Sequence, residues 1–223
     1  MNTTAYFDAS TTDTPEELAP SLAIDAISGV PSDGTGLIGA AFVPGSKIWN
    51  TDMAREAANG DPDATFIASE IAYASKASDT TVAQFIGDDA ASLLGDGSLE
   101  MGPSALTLLG YIYIPPGVHE IKVISDDGFE LNLGGVDFVS FEGTRSPDGS
   151  ARVADFDGGL YSFEMLYFDA GGGMALSLEI DGLPVDQSAF YQTQDDFTNP
   201  PADVPLPFLR ISTHQGRQST TFE

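Results

Sequence analysis

From residue 105 to residue 180 the chain is a series of short apolar runs, each closed by a turn signal. Residues 105–114 (ALTLLGYIYI), 118–125, 129–133, 136–141, 151–156, 161–168 and 174–180 all have strand length and β-forming composition. Between them stand Pro115-Pro116-Gly117, Asp126-Asp127-Gly128, Gly134-Gly135, Pro147-Asp148-Gly149, Asp157-Gly158-Gly159 and Gly171-Gly172-Gly173. Such residues preset or free the backbone for tight turns. Residues 161–168 show the period best: Tyr161, Phe163, Met165 and Tyr167 share one face, and Ser162, Glu164, Leu166 and Phe168 the other. Many short strands at regular spacing, with little helix between them, predict an all-β sandwich or barrel. No fixed-period repeat and no Gly-rich calcium nonapeptide array is present.

The first half is more mixed. Residues 1–35 are rich in Thr, Ser, Asp, Pro and Ala and read as an N-terminal arm, whose apolar stretch 18–27 is a candidate to pack on the domain or add an edge strand. Residues 36–43 (GLIGAAFV) read as a strand, and 50–58 (NTDMAREAA) as a helix capped by Asn50 or Thr51. A turn at 59–63 precedes a strand over 64–73 (ATFIASEIAY); a short element at 82–85 is followed by a helical turn in 87–94. Beyond Asp181 the pattern decays. Residues 189–223, with Pro200-Pro201, Pro205 and Pro207, read as linker or tail, leaving 36–188 as the domain. Val204-Pro205-Leu206-Pro207 resembles the opening of a bacterial sorting tail, but neither an apolar span nor an Arg cluster follows it.

Composition narrows the function. Eight Lys and Arg against 34 Asp and Glu leave a formal charge of −26, in a chain of 223 residues without cysteine. Phosphate backbones and anionic membrane surfaces need clustered basic residues, so nucleic acid and membrane binding are both disfavoured. Without Cys, disulfide frameworks, thiolate nucleophiles and Cys-ligated metals drop out. No apolar run approaches the ~20 residues of a membrane-spanning helix, and Met1 to Ser10 has no signal-peptide pattern. A cation is the attractive partner, because most of the acids are Asp, the short carboxylate of turns and calcium loops. A solvated acidic surface suited to a salty medium is the plainer reading of the same charge.

Six features occur in order over residues 36–182. They are Gly36-Leu37…Gly39…Phe42, the Pro62–Phe66 run, Val82-Ala83-Gln84-Phe85…Gly87-Asp88-Asp89, the Pro-Pro-Gly turn at 115–117, Ser125-Asp126-Asp127-Gly128, and Tyr167-Phe168-Asp169…Gly171-Gly172-Gly173. Together they resemble the PA14 domain, a β-sandwich of bacterial toxins, glycosidases, yeast flocculins and bacterial adhesins. The resemblance implies an antiparallel β-sandwich with short helical insertions.

In the lectin members of that family, two consecutive aspartates joined by a cis peptide bind one calcium ion, and Asp126 and Asp127 match that pair. In a strand with trans peptides neighbouring side chains point to opposite faces; the cis bond brings both carboxylates to one side. Calcium takes six to eight hard oxygens. By the same resemblance the remainder comes from the facing loop, here Asp169 with carbonyls of Ala170, Gly171, Gly172, Gly173 and Met174. Vicinal hydroxyls of a sugar would fill the last positions, at a ligand site of Asp126, Asp127, Ala170, Gly172 and Met174. Ser-Asp-Asp-Gly reads equally as a tight hairpin turn whose Asp side chains bond backbone amides. The glycine loop departs from the flocculin pattern, since Asp169 is its one charged ligand and no large side chain stands by the sugar position.

Other residues carry less. Asp61/Asp63, Asp88/Asp89 and Asp155/Asp157 lack EF-hand spacing and read as solvated turns. His119 falls on the face of Ile121 and Val123 and His214 in the tail, too little for a Ser-His-Asp triad. Trp49, the sole tryptophan, reads as a loop anchor, and Tyr111, Tyr113, Tyr161 and Tyr167 as core or sheet residues. The expectation is a non-enzymatic, calcium-dependent module for cell-surface or polysaccharide glycans, belonging to an extracellular or cell-surface bacterial protein. A spacer or protein-contact domain with a purely structural calcium is the alternative.

Overall fold

The alternation in residues 161–168 sets the layers of the molecule. In the computed structural model, which describes residues 34–196 and the strand β1 (Ala5–Tyr6), Phe163, Met165 and Tyr167 enter the core between two sheets, while Leu166 and Phe168 enter a second apolar cluster on the other face. The apolar stretch 18–27, Val204-Pro205-Leu206-Pro207 and His214 lie outside the described residues.

The elements run β2 (Leu37–Phe42), α1 (Thr51–Ala58), β3 (Ala64–Ala68), β4 (Ala72–Ser75), α2 (Val82–Ile86), a 3₁₀ turn (Gly87–Ser92) and β5 (Leu94–Gly95). Then come β6 (Ser104–Ile114), β7 (Gly117–Asp126), β8 (Gly128–Leu133), β9 (Val136–Phe141), β10 (Asp148–Phe156), β11 (Gly159–Asp169), β12 (Met174–Ile180), β13 (Leu183–Pro184) and β14 (Phe190–Tyr191). One sheet has the order β1-β10-β7-β12-β13, with β4 also on β12; the other is β5-β3-β2-β6-β11-β8-β9, with β14 also on β6. Every pairing is antiparallel except that of β1 with β10. The fold is an antiparallel β-sandwich with short helical insertions.

Helix α1 forms where its cap predicts. The Asn50 side chain accepts a hydrogen bond from the Met53 N–H at 2.9 Å, which satisfies one of the free donors of the first turn. The helix buries Ala54 with Ile48 against Phe42, Ala105, Leu166 and Phe168, and the Arg55 guanidinium donates to Glu130 on β8. Ile48 is the anchor of this loop. Trp49 is 50% exposed with the Lys47 ammonium 4.8 Å from its ring, so it does not anchor the loop as its type implied.

Four sequence expectations change. The single strand expected over 64–73 is two, because the chain leaves one sheet after Ala68 and joins the other at Ala72. Asp89 braces that switch: it accepts from the Ser69 N–H and hydroxyl and from the Tyr73 hydroxyl. It is therefore a buried acceptor rather than a solvated turn residue. Asp126-Asp127-Gly128 is likewise no hairpin turn. β7 pairs with β10 and β12, β8 with β9 and β11, so the aspartates stand where the chain crosses between the sheets. The sandwich also takes in residues past 189: Phe190 is fully buried, and Phe190 and Tyr191 pair with Ile112 and Tyr111.

Strand register decides what meets at the end of the sandwich. Ser104 lies opposite Asp169, Ala105 opposite Phe42, Asp126 opposite Ala175, and Met174 opposite Ser75. The end of β7, the start of β8, the end of β11, the start of β12 and the end of β4 thus share one pole. The acidic residues singled out at 126, 127 and 169 are all there.

Candidate metal centre

The peptide between Asp126 and Asp127 is cis. Carboxylate oxygens of Asp126, Asp127 and Asp169 all lie within 4.8 Å of one another, the one His/Cys/Asp/Glu group among the described residues with the spacing of a metal site. Asp169 ends β11 and is fully buried; Asp127 is buried and Asp126 half-buried.

The three side chains are held very differently. Asp127 Oδ1 accepts the Arg145 main-chain N–H at 2.9 Å, and its Oδ2 accepts that of Ala170 at 2.7 Å. The Tyr167 hydroxyl donates to the Asp126 carbonyl, and the Ser125 hydroxyl to the Asp127 carbonyl at 2.6 Å. Both oxygens of Asp169 are buried with no hydrogen-bond partner. That is costly for a charged group. Burial and then the Asp127 carboxylate raise the pKa of Asp169 to about 7, opposed in part by the nearby Gly171 amide, which falls outside hydrogen-bond geometry. Burial followed by Asp127 also raises Asp126, with the Arg145 charge pulling the other way. Tyr167, buried beside all three acids, is held well above its ordinary value and stays a donor.

The glycine loop closes the site. Gly171 and Gly172 have φ of +118° and +115°, a region that suits glycine, and a Cβ on either would meet nothing within 4 Å. A Cβ on Gly173 would lie 3.4 Å from the Ser75 carbonyl oxygen and 4.0 Å from Asp126 Oδ2, so the loop runs between the end of β4 and the paired aspartates. One on Gly102 would lie 3.6 Å from Asp169 Oδ2, which brings the segment before β6 over the buried acid. The Met174 side chain is buried in the core, so only its main chain is available to the pole. Ala170 is half-buried, and its N–H is spent on Asp127.

Asp126, Asp127 and Asp169 are thus brought together at one point, with residues 170–174 beside them. Sequence reasoning missed Arg145, which binds the back of the paired aspartates; its only signal was being one of eight basic residues in an acidic chain. Asp61, Asp63, Asp88, Asp89, Asp155 and Asp157 join no metal-like group. Asp63 instead accepts the Val43 N–H at 2.7 Å. His119 is buried beside Phe156, its Nδ1 2.7 Å from Asp181 Oδ2, which is a structural position.

The donor set suits calcium. The three carboxylates are all hard oxygen, and the absence of Cys and of any His in the group disfavours softer metals. A divalent ion there would give the orphaned oxygens of Asp169 a partner and offset the mutual repulsion of the three charges.

This two-sheet arrangement is the PA14 fold. The chain is similar to the PA14 domain of the MpAFP antifreeze protein, at 23% identity and a TM-score of 0.65 over 75% of this chain and 93% of that one. It is similar also to a PA14 sugar-binding domain from an RTX adhesin, at 23% identity and a TM-score of 0.61 over 71% of this chain and 99% of that one. A third likeness is the A domain of epithelial adhesin 6 from Candida glabrata, solved with Galb1-3GlcNAc, at 15% identity and a TM-score of 0.55 over 74% of this chain and 89% of that one. No protein-family model matches the chain, and no curated protein matches it in sequence.

Proposed function

We propose that this protein is a calcium-dependent carbohydrate-binding module of an extracellular or cell-surface protein. The observation that carries the proposal is Asp169: fully buried, without a hydrogen bond, and held with buried Asp127 and half-buried Asp126 beside the glycine loop. Asp126, Asp127 and Asp169 would hold the ion, with main-chain carbonyls of residues 170–174 as further donors. Bound calcium supplies a hard Lewis acid to which two neighbouring hydroxyls of a sugar can coordinate. The chain's own part is to preset the carboxylates and leave room: Gly171 and Gly172 put no side chain over the site. The sugar-binding PA14 domain and the glycan complex of the yeast adhesin support the reading by shared fold. The proposed role is binding without catalysis.

A second reading has its own support. The three carboxylates join the sheet crossover at 126–127 to the end of β11, so an ion there would tie loops together even with no sugar present. One experiment separates the two. Melting the protein with calcium, with chelator, and with calcium plus monosaccharides reads binding to the folded state by mass action, and a glycan array with calcium reads weak sugars. A calcium shift with glycan binding lost in Asp127→Ala supports the lectin. A calcium shift with no glycan bound leaves the structural ion. No calcium shift sinks both.

A further inference from the structure

We infer that Arg145 is a positioning residue for the metal-binding carboxylates, setting Asp127 from behind through both its main chain and its guanidinium. The inference rests on the calcium reading above and adds a residue that no resemblance assigned. Arg145 lies in the connection between β9 and β10, where its own N–H holds Asp127 Oδ1 at 2.9 Å. Its side chain then turns back along β7: Nε donates to the Ser125 carbonyl at 3.2 Å and Nη2 to the Ser125 hydroxyl at 2.7 Å. That hydroxyl in turn donates to the Asp127 carbonyl at 2.6 Å. One residue therefore grips the carboxylate of Asp127 directly and its carbonyl through one relay.

The guanidinium is itself fixed. Nη1 donates to the Ser150 hydroxyl on β10 at 3.0 Å, and the group lies 4.3 Å from the Phe141 ring centroid and 5.7 Å from that of Phe129. A planar fork with several donors, sandwiched against rings, is a job for arginine; an ammonium has neither the plane nor the fork. Ser125 is fully buried, so its hydroxyl and carbonyl depend on these partners. Burial lowers the Arg145 pKa while the charges of Asp148 and Asp126 raise it, so it faces acids at the start of β10 and the end of β7.

Coulomb's law makes the test sharp. Taking a positive charge away from beside a cation site strengthens cation binding; weaker binding can then come only from lost positioning. The measurement is calcium titration of the full chain by calorimetry, with melting in chelator and in calcium, for wild type, Arg145→Met, Arg145→Lys and Ser125→Ala. Loss of a residue that orients metal ligands costs about 10–100-fold in affinity, and that loss is expected for Arg145→Met. Arg145→Lys keeps the charge and the main-chain bond yet recovers only part of the affinity, and it guards against a Met variant that fails to fold. Ser125→Ala weakens calcium too, and combined with Arg145→Lys gives less than the product of the two effects, since both cut one relay. Unchanged or tighter calcium binding in Arg145→Met or Arg145→Lys, with melting lowered equally in both conditions, overturns the inference and makes Arg145 a packing residue. A wild-type protein that binds no calcium overturns the parent reading instead, and the inference with it.

Discussion

Ala170 donates its main-chain N–H to Asp127 Oδ2 at 2.7 Å across 43 residues of sequence. With Arg145 on the other oxygen, Asp127 is tied into two separate loops, whereas Asp169 a few ångströms away is tied to nothing. The site thus separates its roles: one carboxylate is part of the framework and another is left open.

The open carboxylate makes calcium binding depend on pH. Asp169 titrates at about 7 in the folded chain, against about 4 when unfolded. Its pKa is raised, so between those values the native state holds more protons than the unfolded one, and stability from this group falls as pH rises from about 4 to about 7. Calcium needs the charged form. Its affinity is expected to climb from pH 5 to pH 8 and level off, with binding near pH 6 releasing about one proton. Calorimetry in two buffers of different ionisation heat counts that proton; a pH-independent affinity contradicts the assignment.

Asp169→Asn and Asp127→Asn should both abolish the calcium shift yet move the calcium-free protein in opposite directions. The first removes an unpaired buried charge and is expected to raise melting in chelator at pH 8, by about 1 kcal/mol or a few degrees. The second takes an acceptor from the Arg145 or Ala170 amide and is expected to cost about 1–3 kcal/mol. Parallel melts of the two variants decide it.

Two glycines beside the site should fail for different reasons. A Cβ on Gly128 would lie 2.4 Å from the Phe168 ring and 2.7 Å from the carbonyl oxygens of Phe141 and Gly143, so Gly128→Ala forces the backbone apart and costs about 1–3 kcal/mol. Gly171→Ala meets no atom but must hold a φ of +118°. It should cost about 1 kcal/mol and weaken calcium, because the loop relaxes away from Asp169. Urea unfolding with and without calcium distinguishes the pair.

Asp89→Ala serves as a control outside the carboxylate group. It strips acceptors from the Ser69 amide and hydroxyl and from the Tyr73 hydroxyl, and a loss of about 2–4 kcal/mol is expected. The increment that calcium adds to the melting temperature should stay at its wild-type value. A lost increment would show that the sheet switch at 69–71 communicates with the pole.

What could be read in advance was whatever depends on a residue and its near neighbours. The alternation of Tyr161 through Phe168 is local, and it assigned both faces of β11 correctly. Asn50 caps α1 for the same reason. The paired aspartates and Asp169 were legible only through resemblance, since the 41 residues between Asp127 and Asp169 hide their proximity. Sheet switches were not legible, because Ser69 and Gly128 look like any strand interior or turn until their partners in the other sheet are known. Arg145 shows the same limit: a lone arginine in a loop reveals nothing until Ser125 and Asp127 stand in front of it. Phe190 looked like tail because Leu37, Ile112 and Phe163, which it joins in the core, are distant in sequence.

The described sandwich begins and ends at nearly the same place. Gly36 donates to the Phe190 carbonyl at 3.0 Å and Gln192 to that of Gly34 at 3.2 Å, while β2 carries the chain from there to the pole of Asp169, where β6 begins its return. Tension applied to Gly34 and Gln192 would pull these hydrogen bonds open one after another, like a zip, at the end of the sandwich opposite the crossover at Asp126 and Asp127. The three carboxylates lie at the other end of β2 from these first bonds, so their geometry is expected to survive the first mechanical yielding of the domain.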